Sequence, residues 1–324
     1  MKDLINDIFN IKTSKEFENT CLKLFHFQIE NNEEYAKYAN IILKGKYPKR
    51  IESIPFLPIE FFKQKKILCR KKNYEKIFLS SGTSGNISKH YVSDISIYHK
   101  SLENSFKKFY GDFSEYCVLA LLPNYMTNKQ SSLIYMINAW IKESGNQESG
   151  FYIDNYKKLS ELISRNESRN IKTILIGVSY ALINLAEKFP RKLTNCIIME
   201  TGGTKGFEKE ILKEELHKIL KNAFNVSDIH SEYGMTELLS QSYSKGNNIF
   251  FSPPWKRIII RDVNDPFAII KNKTGGINVI DLANIYSCPF IATQDLGISY
   301  NDNSFSIIGR FDNSDVRGCN LLIQ

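Results

Sequence analysis

Long apolar runs are missing from this sequence. None of its 324 residues lies in a run near the roughly 20 apolar residues of a membrane helix, so no membrane span is expected. Cysteine is sparse: Cys21, Cys69, Cys117, Cys196, Cys288 and Cys319 are scattered, with no Cys-x-x-Cys pair and no histidine at zinc spacing. That excludes a zinc ribbon, and it predicts free thiols in a reducing cytoplasm. The start, Met1-Lys2-Asp3-Leu4-Ile5-Asn6-Asp7, carries acids and no apolar core, so a secretory leader is not expected. Charge of one sign is not gathered into one arm. Lys and Arg number 43 against 35 Asp and Glu, a net +8, but the two signs are interspersed and no nucleic-acid arm is expected. The densest basic stretch, residues 63–72, reads as a solvated face. A basic surface also suits an acidic partner protein or an anionic substrate. Internal repeats and low-complexity linkers are absent as well.

What is present is an ordinary globular composition, 42% hydrophobic and 24% charged, long enough for one large domain or two moderate ones. Up to about residue 44, apolar positions such as Leu4, Ile8, Phe17, Cys21, Leu24 and Phe25 recur at helical spacing. Pro48, Pro55 and Pro58 then make a rigid connection. Short apolar runs at 117–122, 174–177 and 196–199 read as buried strands. Amphipathic stretches at 97–110, 131–141, 180–189 and 208–223 read as helices between and after them. This alternation predicts an α/β layered fold with a largely parallel sheet. Past residue 245 the runs at 249–251, 257–261, 277–282, 290–293 and 305–308 are short and β-type, so a β-rich antiparallel C-terminal subdomain is expected. The expected division is a helical region at 1–57, an α/β nucleotide-binding core at 58–245 and the β-rich subdomain at 246–324.

Chemistry concentrates in five segments. Ser80-Ser81-Gly82-Thr83-Ser84-Gly85-Asn86-Ile87-Ser88-Lys89-His90 follows an apolar run with hydroxyls, two glycines and a lysine. Glycines let successive amides face one point, and the hydroxyls and Lys89 add donors and charge, which suits a nucleotide triphosphate. No Gly-Lys-Ser/Thr follows Gly85, and the loop does not fit G-x-G-x-x-G, so the two common nucleotide signatures do not describe it. Glu200-Thr201-Gly202-Gly203-Thr204 ends a strand before a helix, where open α/β sheets bind ligands. Tyr233-Gly234-Met235-Thr236-Glu237 combines a ring, a hydroxyl and a carboxylate. Asp295-Leu296-Gly297 and Gly309-Arg310-Phe311-Asp312 complete the set. Taken singly, each has a plainer reading: a flexible turn, a packed tyrosine, a solvated glutamate, a turn-forming aspartate. Their joint occurrence in this order favours a site.

In that order the segments resemble the adenylate-forming superfamily of acyl-CoA synthetases, firefly luciferase and peptide-synthetase adenylation domains. The narrower resemblance is to the LuxE-like acyl-protein synthetase family, carried by Ile54-Pro55-Phe56-Leu57-Pro58-Ile59-Glu60-Phe61-Phe62, Ser88-Lys89-His90 and Arg317-Gly318-Cys319-Asn320-Leu321-Leu322. It implies an α/β fold of the adenylate-forming N-terminal type, and ATP and Mg²⁺ as cofactors. By this resemblance Ser81, Thr83, Ser84 and Lys89 contact phosphates, Gly202, Gly203 and Tyr233 enclose the adenine, and Gly82, Gly85, Thr204 and Gly234 also belong to the cofactor site. Thr236 approaches the α-phosphate, Glu237 holds Mg²⁺, and Asp295 with Arg310 binds the ribose. His90, beside the loop, and His230, beside the Tyr-Gly box, are candidates to act near the substrate carboxylate, and the plainer reading of each is a structural hydrogen bond.

Two departures shape the expectation. Asn86-Ile87-Ser88 separates Gly85 from Lys89, where the superfamily has one residue and Pro-Lys. The chain also stops just beyond Arg310, so a form without the superfamily's C-terminal lid domain is expected, with Lys89, Lys205 and Arg317 left as candidates to neutralise the α-phosphate. A thiolate is a strong acceptor for an acyl-adenylate. Cys319 follows Arg310 and Arg317, and matches the family's acyl-carrying cysteine; the plainer reading is a structural cysteine before a terminal strand. The expected function is ATP-dependent activation of a carboxylic acid, a fatty acid, with a thioester on Cys319 and transfer to a partner such as an acyl reductase or carrier protein. The alternatives are an acid–CoA ligase with its lid on another chain and a nucleotide-binding module without turnover.

Overall fold

The computed structural model describes residues 2–70, 72–80, 87–122, 129–153, 155–202 and 211–311. Three helices open the chain: α1 (Lys2–Phe9), α2 (Ser14–Asn31) and α3 (Glu33–Leu43). Thr13 starts α2 with a capping box, its hydroxyl accepting from the Glu16 amide while the Glu16 carboxylate accepts from the Thr13 amide. Asn32 ends α2 and caps α3. Its side-chain amide donates to Gln28 Oε1 and to the Ser287 carbonyl at 2.6 Å, and Gln28 Nε2 donates to the Ile285 carbonyl at 2.7 Å. Buried amides therefore sew this helix pair to residues 285–287, far along the chain, and no periodicity in the sequence announces that tie.

Next come β1 (Leu57–Pro58) and α4 (Phe61–Gln64). The middle of the chain holds β2 (Lys76–Leu79), β3 (Lys89–Val92), α5 (Ile95–Tyr110), β4 (Cys117–Leu121), α6 (Ser132–Ser144) and β5 (Gly150–Phe151). It continues with α7 (Tyr156–Ser168), β6 (Thr173–Gly177), α8 (Ser179–Lys188), β7 (Cys196–Glu200), α9 (Lys213–Phe224), β8 (His230–Tyr233), β9 (Ser242–Ser244) and β10 (Phe250–Phe251). The last strands are β11 (Lys256–Arg261), β12 (Ile269–Ile270), β13 (Gly275–Asp281), β14 (Phe290–Ser299) and β15 (Phe305–Arg310).

These elements form two compact units. One comprises residues up to Tyr74, Tyr91–Ser93 and the chain from Pro254; the other comprises Glu75–His90 and Asp94–Pro253. In the second unit β5, β4, β6, β7 and β8 run parallel, and β9 and β10 extend the sheet antiparallel. Every residue of β4 and β6 is buried, as the uninterrupted Cys-Val-Leu-Ala-Leu and Thr-Ile-Leu-Ile-Gly runs require. Leu119, Leu121, Leu175, Leu182, Leu185 and Phe224 belong to one core on a face of that sheet. Truncating one such leucine to alanine costs about 2–5 kcal/mol. In the first unit β12, β11, β13, β14 and β15 form an antiparallel sheet, with β1 added parallel to β14.

The α/β class, the parallel sheet and the β-rich C-terminal segment agree with the sequence. Two local differences stand out. Of the helix expected over 208–223, residues 208–210 lie outside the described residues and α9 begins at Lys213, because Leu212 is extended (φ −65°, ψ 142°) and its side chain makes no cap. The helix α7 was not expected; its buried face is only Leu159, Ser160, Leu162, Ile163 and Asn166, set among Lys, Ser, Arg, Asn and Glu.

Candidate active site

The carboxyl ends of the parallel strands line up. Register pairs Leu121 with Gly177, Gly177 with Glu200 and Glu200 with Ser231, so these four residues form a row across the end of the sheet. Only glycine fits at 177, since a Cβ there would stand 2.9 Å from that of Leu121. The Thr201 amide continues the ladder to the Gly177 carbonyl at 3.0 Å, and Gly202 then turns at φ +81°. This is the edge where open parallel sheets receive ligands.

Glu200 ends β7 almost fully buried. Burial raises its pKa, but the His217 ring, with Nε2 3.8 Å from Oε1, and the Lys213 ammonium at 2.8 Å outweigh that and hold the carboxyl down to about 2. The Lys213 ammonium also stands 4.6 Å over the centre of the Phe250 ring. Phe250 meets the Tyr233 ring edge-on at 6.0 Å. On the next strand Glu232 accepts from Thr201 Oγ1 at 2.6 Å, and its other oxygen would lie 2.5 Å from any Cβ at Gly234.

Two hydrogen bonds join Ser80 to Ser88. The Ser80 amide donates to the Ser88 carbonyl at 3.1 Å, and the Ser88 amide to Ser80 Oγ at 3.0 Å. Lys89 is exposed at the start of β3 and His90 is buried. Nδ1 of His90 lies 2.8 Å from the Thr236 carbonyl. Burial pulls the His90 pKa down to about 4 against the opposing Thr236 hydrogen bond, so the ring is neutral at pH 7 and Nδ1 carries the donated proton. His90 therefore ties the strand after the loop to the backbone of the Thr236-Glu237 pair, and the Glu237 carboxylate is itself buried.

The first unit holds the other pair. Asp295 on β14 is in register with Arg310 on β15, and Arg310 Nε donates to Asp295 Oδ1 at 2.9 Å. The carboxylate is buried and the guanidinium is largely exposed. Thr293 Oγ1 accepts from the Asp295 amide at 3.1 Å and donates to the Ile277 carbonyl at 2.9 Å. Beneath them Arg261 donates to the Ile277 carbonyl, Asn278 Oδ1 and the Thr293 carbonyl, at 2.8, 2.8 and 2.5 Å. Gly276 leaves room for it, because a Cβ there would be 2.5 Å from Arg261 Cζ.

Of the sequence candidates, the second unit brings His90 to Thr236, places Gly202 after β7, and puts Tyr233 at the end of β8 with Gly234 next. The first unit brings Asp295 to Arg310. Ser81, Gly82, Thr83, Ser84, Gly85, Gly203, Thr204, Lys205, Arg317 and Cys319 lie outside the described residues. Sequence reasoning missed Glu200, Lys213, Glu232 and Arg261, and gave His217 no chemistry. A lysine at the start of a helix that follows a strand ending in Glu was the available signal for the Glu200–Lys213 pair. Arg261 ends an isoleucine run and had none.

A parallel sheet with glycine turns at its carboxyl edge, continued by antiparallel strands, is the architecture of adenylate-forming enzymes, and solved structures agree. ATP-bound MatB from Rhodopseudomonas palustris aligns with a TM-score of 0.55 and 16% identity over 72% of this chain. The chain spans 47% of MatB, about half its length. A 2-hydroxyisobutyryl-CoA ligase in the postadenylation state, in complex with R3-HIB-AMP, aligns with a TM-score of 0.61 and 11% identity, over 93% of this chain and 69% of that one. The family described as acyl-protein synthetase, LuxE, matches residues 7–324, so the chain belongs to that family and is an AMP-forming ligase. The long-chain-fatty-acid–luciferin-component ligase of Aliivibrio fischeri is 22% identical over 347 residues, covering 97% of this chain and 89% of that protein. Among the described residues no helix is long and apolar enough to cross a membrane.

Proposed function

We propose that this enzyme activates a fatty acid with ATP and Mg²⁺ and carries the acyl group on Cys319 before passing it to an acyl-accepting protein, such as an acyl reductase or a carrier protein. The observation that carries this reading is the Tyr233-Gly234-Met235-Thr236-Glu237 segment at the carboxyl end of β8, beside the glycine turn that follows β7. Family membership and the name of the Aliivibrio fischeri ligase support the fatty acid; the ATP-bound MatB structure supports the nucleotide.

In the first step a carboxylate oxygen of the acid attacks the α-phosphorus, the bond to the β-phosphate oxygen breaks, and pyrophosphate leaves. No covalent protein catalyst is required; the step needs positioning and charge neutralisation. Gly202, Gly203, Thr204, Tyr233 and Gly234 would enclose the adenine, and Asp295 with Arg310 would hold the ribose. Ser81 to Gly85 and Lys89 would receive the phosphates, and Thr236 would approach the α-phosphate. His90 sets the Thr236 backbone from its buried position. In the second step the Cys319 thiolate attacks the acyl carbonyl, a C–S bond forms as the C–O bond to phosphate breaks, and AMP leaves; the thiol proton goes to solvent.

Among the described residues no group of three or more His, Cys, Asp and Glu could hold a metal. Mg²⁺ fits nonetheless, because it takes one or two carboxylates and completes its shell with phosphate oxygens and water. Glu237 supplies one such carboxylate, and the ion would offset charge on the phosphates. Acid-dependent exchange of labelled pyrophosphate into ATP tests the first step. Comparing CoA and Cys319 as acceptors tests the second: an acyl-CoA product with unmodified Cys319 makes the chain an acid–CoA ligase instead.

A further inference from the structure

We propose that Lys213 is a positioning residue for the nucleotide, setting the Tyr233 ring from behind through Phe250 and fixing the end of β7 through Glu200. The inference rests on the adenine reading above. One ammonium group does both tasks. Its Nζ is 2.8 Å from Glu200 Oε1 and 4.6 Å above the Phe250 ring centre, and Phe250 meets Tyr233 edge-on at 6.0 Å.

The geometry fits this role better than that of a surface ion pair. Glu200 is 4% exposed, so its carboxylate has left water and needs a cation. Lys213 and Glu200 stand on either side of residues 201–212 in the chain, and those residues include Gly202, Gly203 and Thr204. The pair therefore joins the last residue of β7 to the first of α9. A cation on an aromatic face favours one ring orientation, and the edge-on contact passes that preference to Tyr233. His217 Nε2 lies 3.8 Å from the same carboxylate oxygen.

The test measures ATP binding by calorimetry and steady-state pyrophosphate exchange for the full chain and for Lys213→Met, Lys213→Arg and Phe250→Leu. Lys213→Met is expected to raise KM for ATP about tenfold and to narrow the preference for ATP over GTP, as loss of one cation–π contact and one buried ion pair implies. KM for the acid and kcat should stay within about threefold. Lys213→Arg keeps the charge and the aromatic contact, so it should recover most of the ATP affinity. Phe250→Leu removes the ring and leaves the ion pair; it should reproduce the loss of base preference, and it decides the matter if Lys213→Met does not fold. Unchanged ATP binding and base preference in Phe250→Leu, or equal shifts for ATP and acid in step with a lower melting temperature, would overturn the proposal. If the unsubstituted chain binds no ATP at all, the nucleotide reading itself fails, and that outcome is distinct from both.

Discussion

The imidazole of His90 donates from Nδ1 to the Thr236 carbonyl at 2.8 Å, joining residues 146 positions apart. Both ends matter. His90 follows the hydroxyl-rich segment after β2, and Thr236 precedes the one buried carboxylate of the Tyr-Gly-Met-Thr-Glu box. A neutral ring is required, since burial holds its pKa at about 4.

That requirement makes stability depend on pH. In the unfolded chain histidine titrates near 6.5, while in the fold His90 and His230 stay neutral to about 4, His230 through burial and then the nearby Lys245 charge. Between these values the unfolded state binds more protons, so the stabilisation is complete above pH 6.5 and declines as pH falls towards 4. Each ring contributes up to about 3 kcal/mol by linkage. Urea unfolding at pH 7.5 and pH 5 is expected to show a lower midpoint in acid, and His90→Gln should flatten part of that slope. Equal midpoints at the two pH values would count against a buried neutral His90.

A side chain at Gly234 is expected to displace the Glu232 carboxylate. A Cβ there meets Glu232 Oε1 at 2.5 Å, so the carboxylate must swing and release Thr201 Oγ1. Gly234→Ala should cost about 1–3 kcal/mol and reduce pyrophosphate exchange at least tenfold. In a Glu232→Ala background the clash is absent, so Gly234→Ala should cost less there than in the unsubstituted chain, as thermal melts of the four proteins would show. An equal cost in both backgrounds would show that the clash is not the cause.

Arg261 should be irreplaceable by lysine. Its planar fork serves three acceptors on β13 and β14, and a lysine ammonium cannot span them. Arg261→Lys is expected to destabilise the chain by about 2 kcal/mol and Arg261→Met by about 3 kcal/mol, since carbonyls are left unpaired. Denaturant midpoints measure both. A change under about 0.5 kcal/mol would show that those acceptors find water.

Asp295→Asn tests the ribose contact. The carboxylate already holds Arg310 at 2.9 Å. Loss of its charge should raise KM for ATP about tenfold, as expected for one charge-assisted hydrogen bond, with KM for the acid unchanged. An unaltered KM for ATP would remove Asp295 from the nucleotide site.

Much of this was legible in the residues themselves. Uninterrupted apolar runs gave β4, β6 and β7, because a strand buried on both faces has no polar side to show. The Tyr233–Glu237 box pointed to a candidate site because few sequences place a ring, a glycine, a hydroxyl and a carboxylate so closely. The supporting contacts were not legible. His90 to Thr236, Lys213 to Glu200 and Arg261 to Thr293 join residues distant in sequence, and ordinary residue types at ordinary spacing hide such pairs. The tie of Asn32 and Gln28 to residues 285–287 is of the same kind. Pattern reports a face; it does not report what the face meets.

The central claim is that the activated acid is carried by the chain itself. Intact-protein mass spectrometry after incubation with ATP, Mg²⁺ and a panel of fatty acids measures this directly. The expected result is a single acyl adduct that is removed by hydroxylamine and absent from Cys319→Ser. An adduct that persists in Cys319→Ser, or pyrophosphate release with an unmodified chain and acyl-CoA formed on adding CoA, would contradict it.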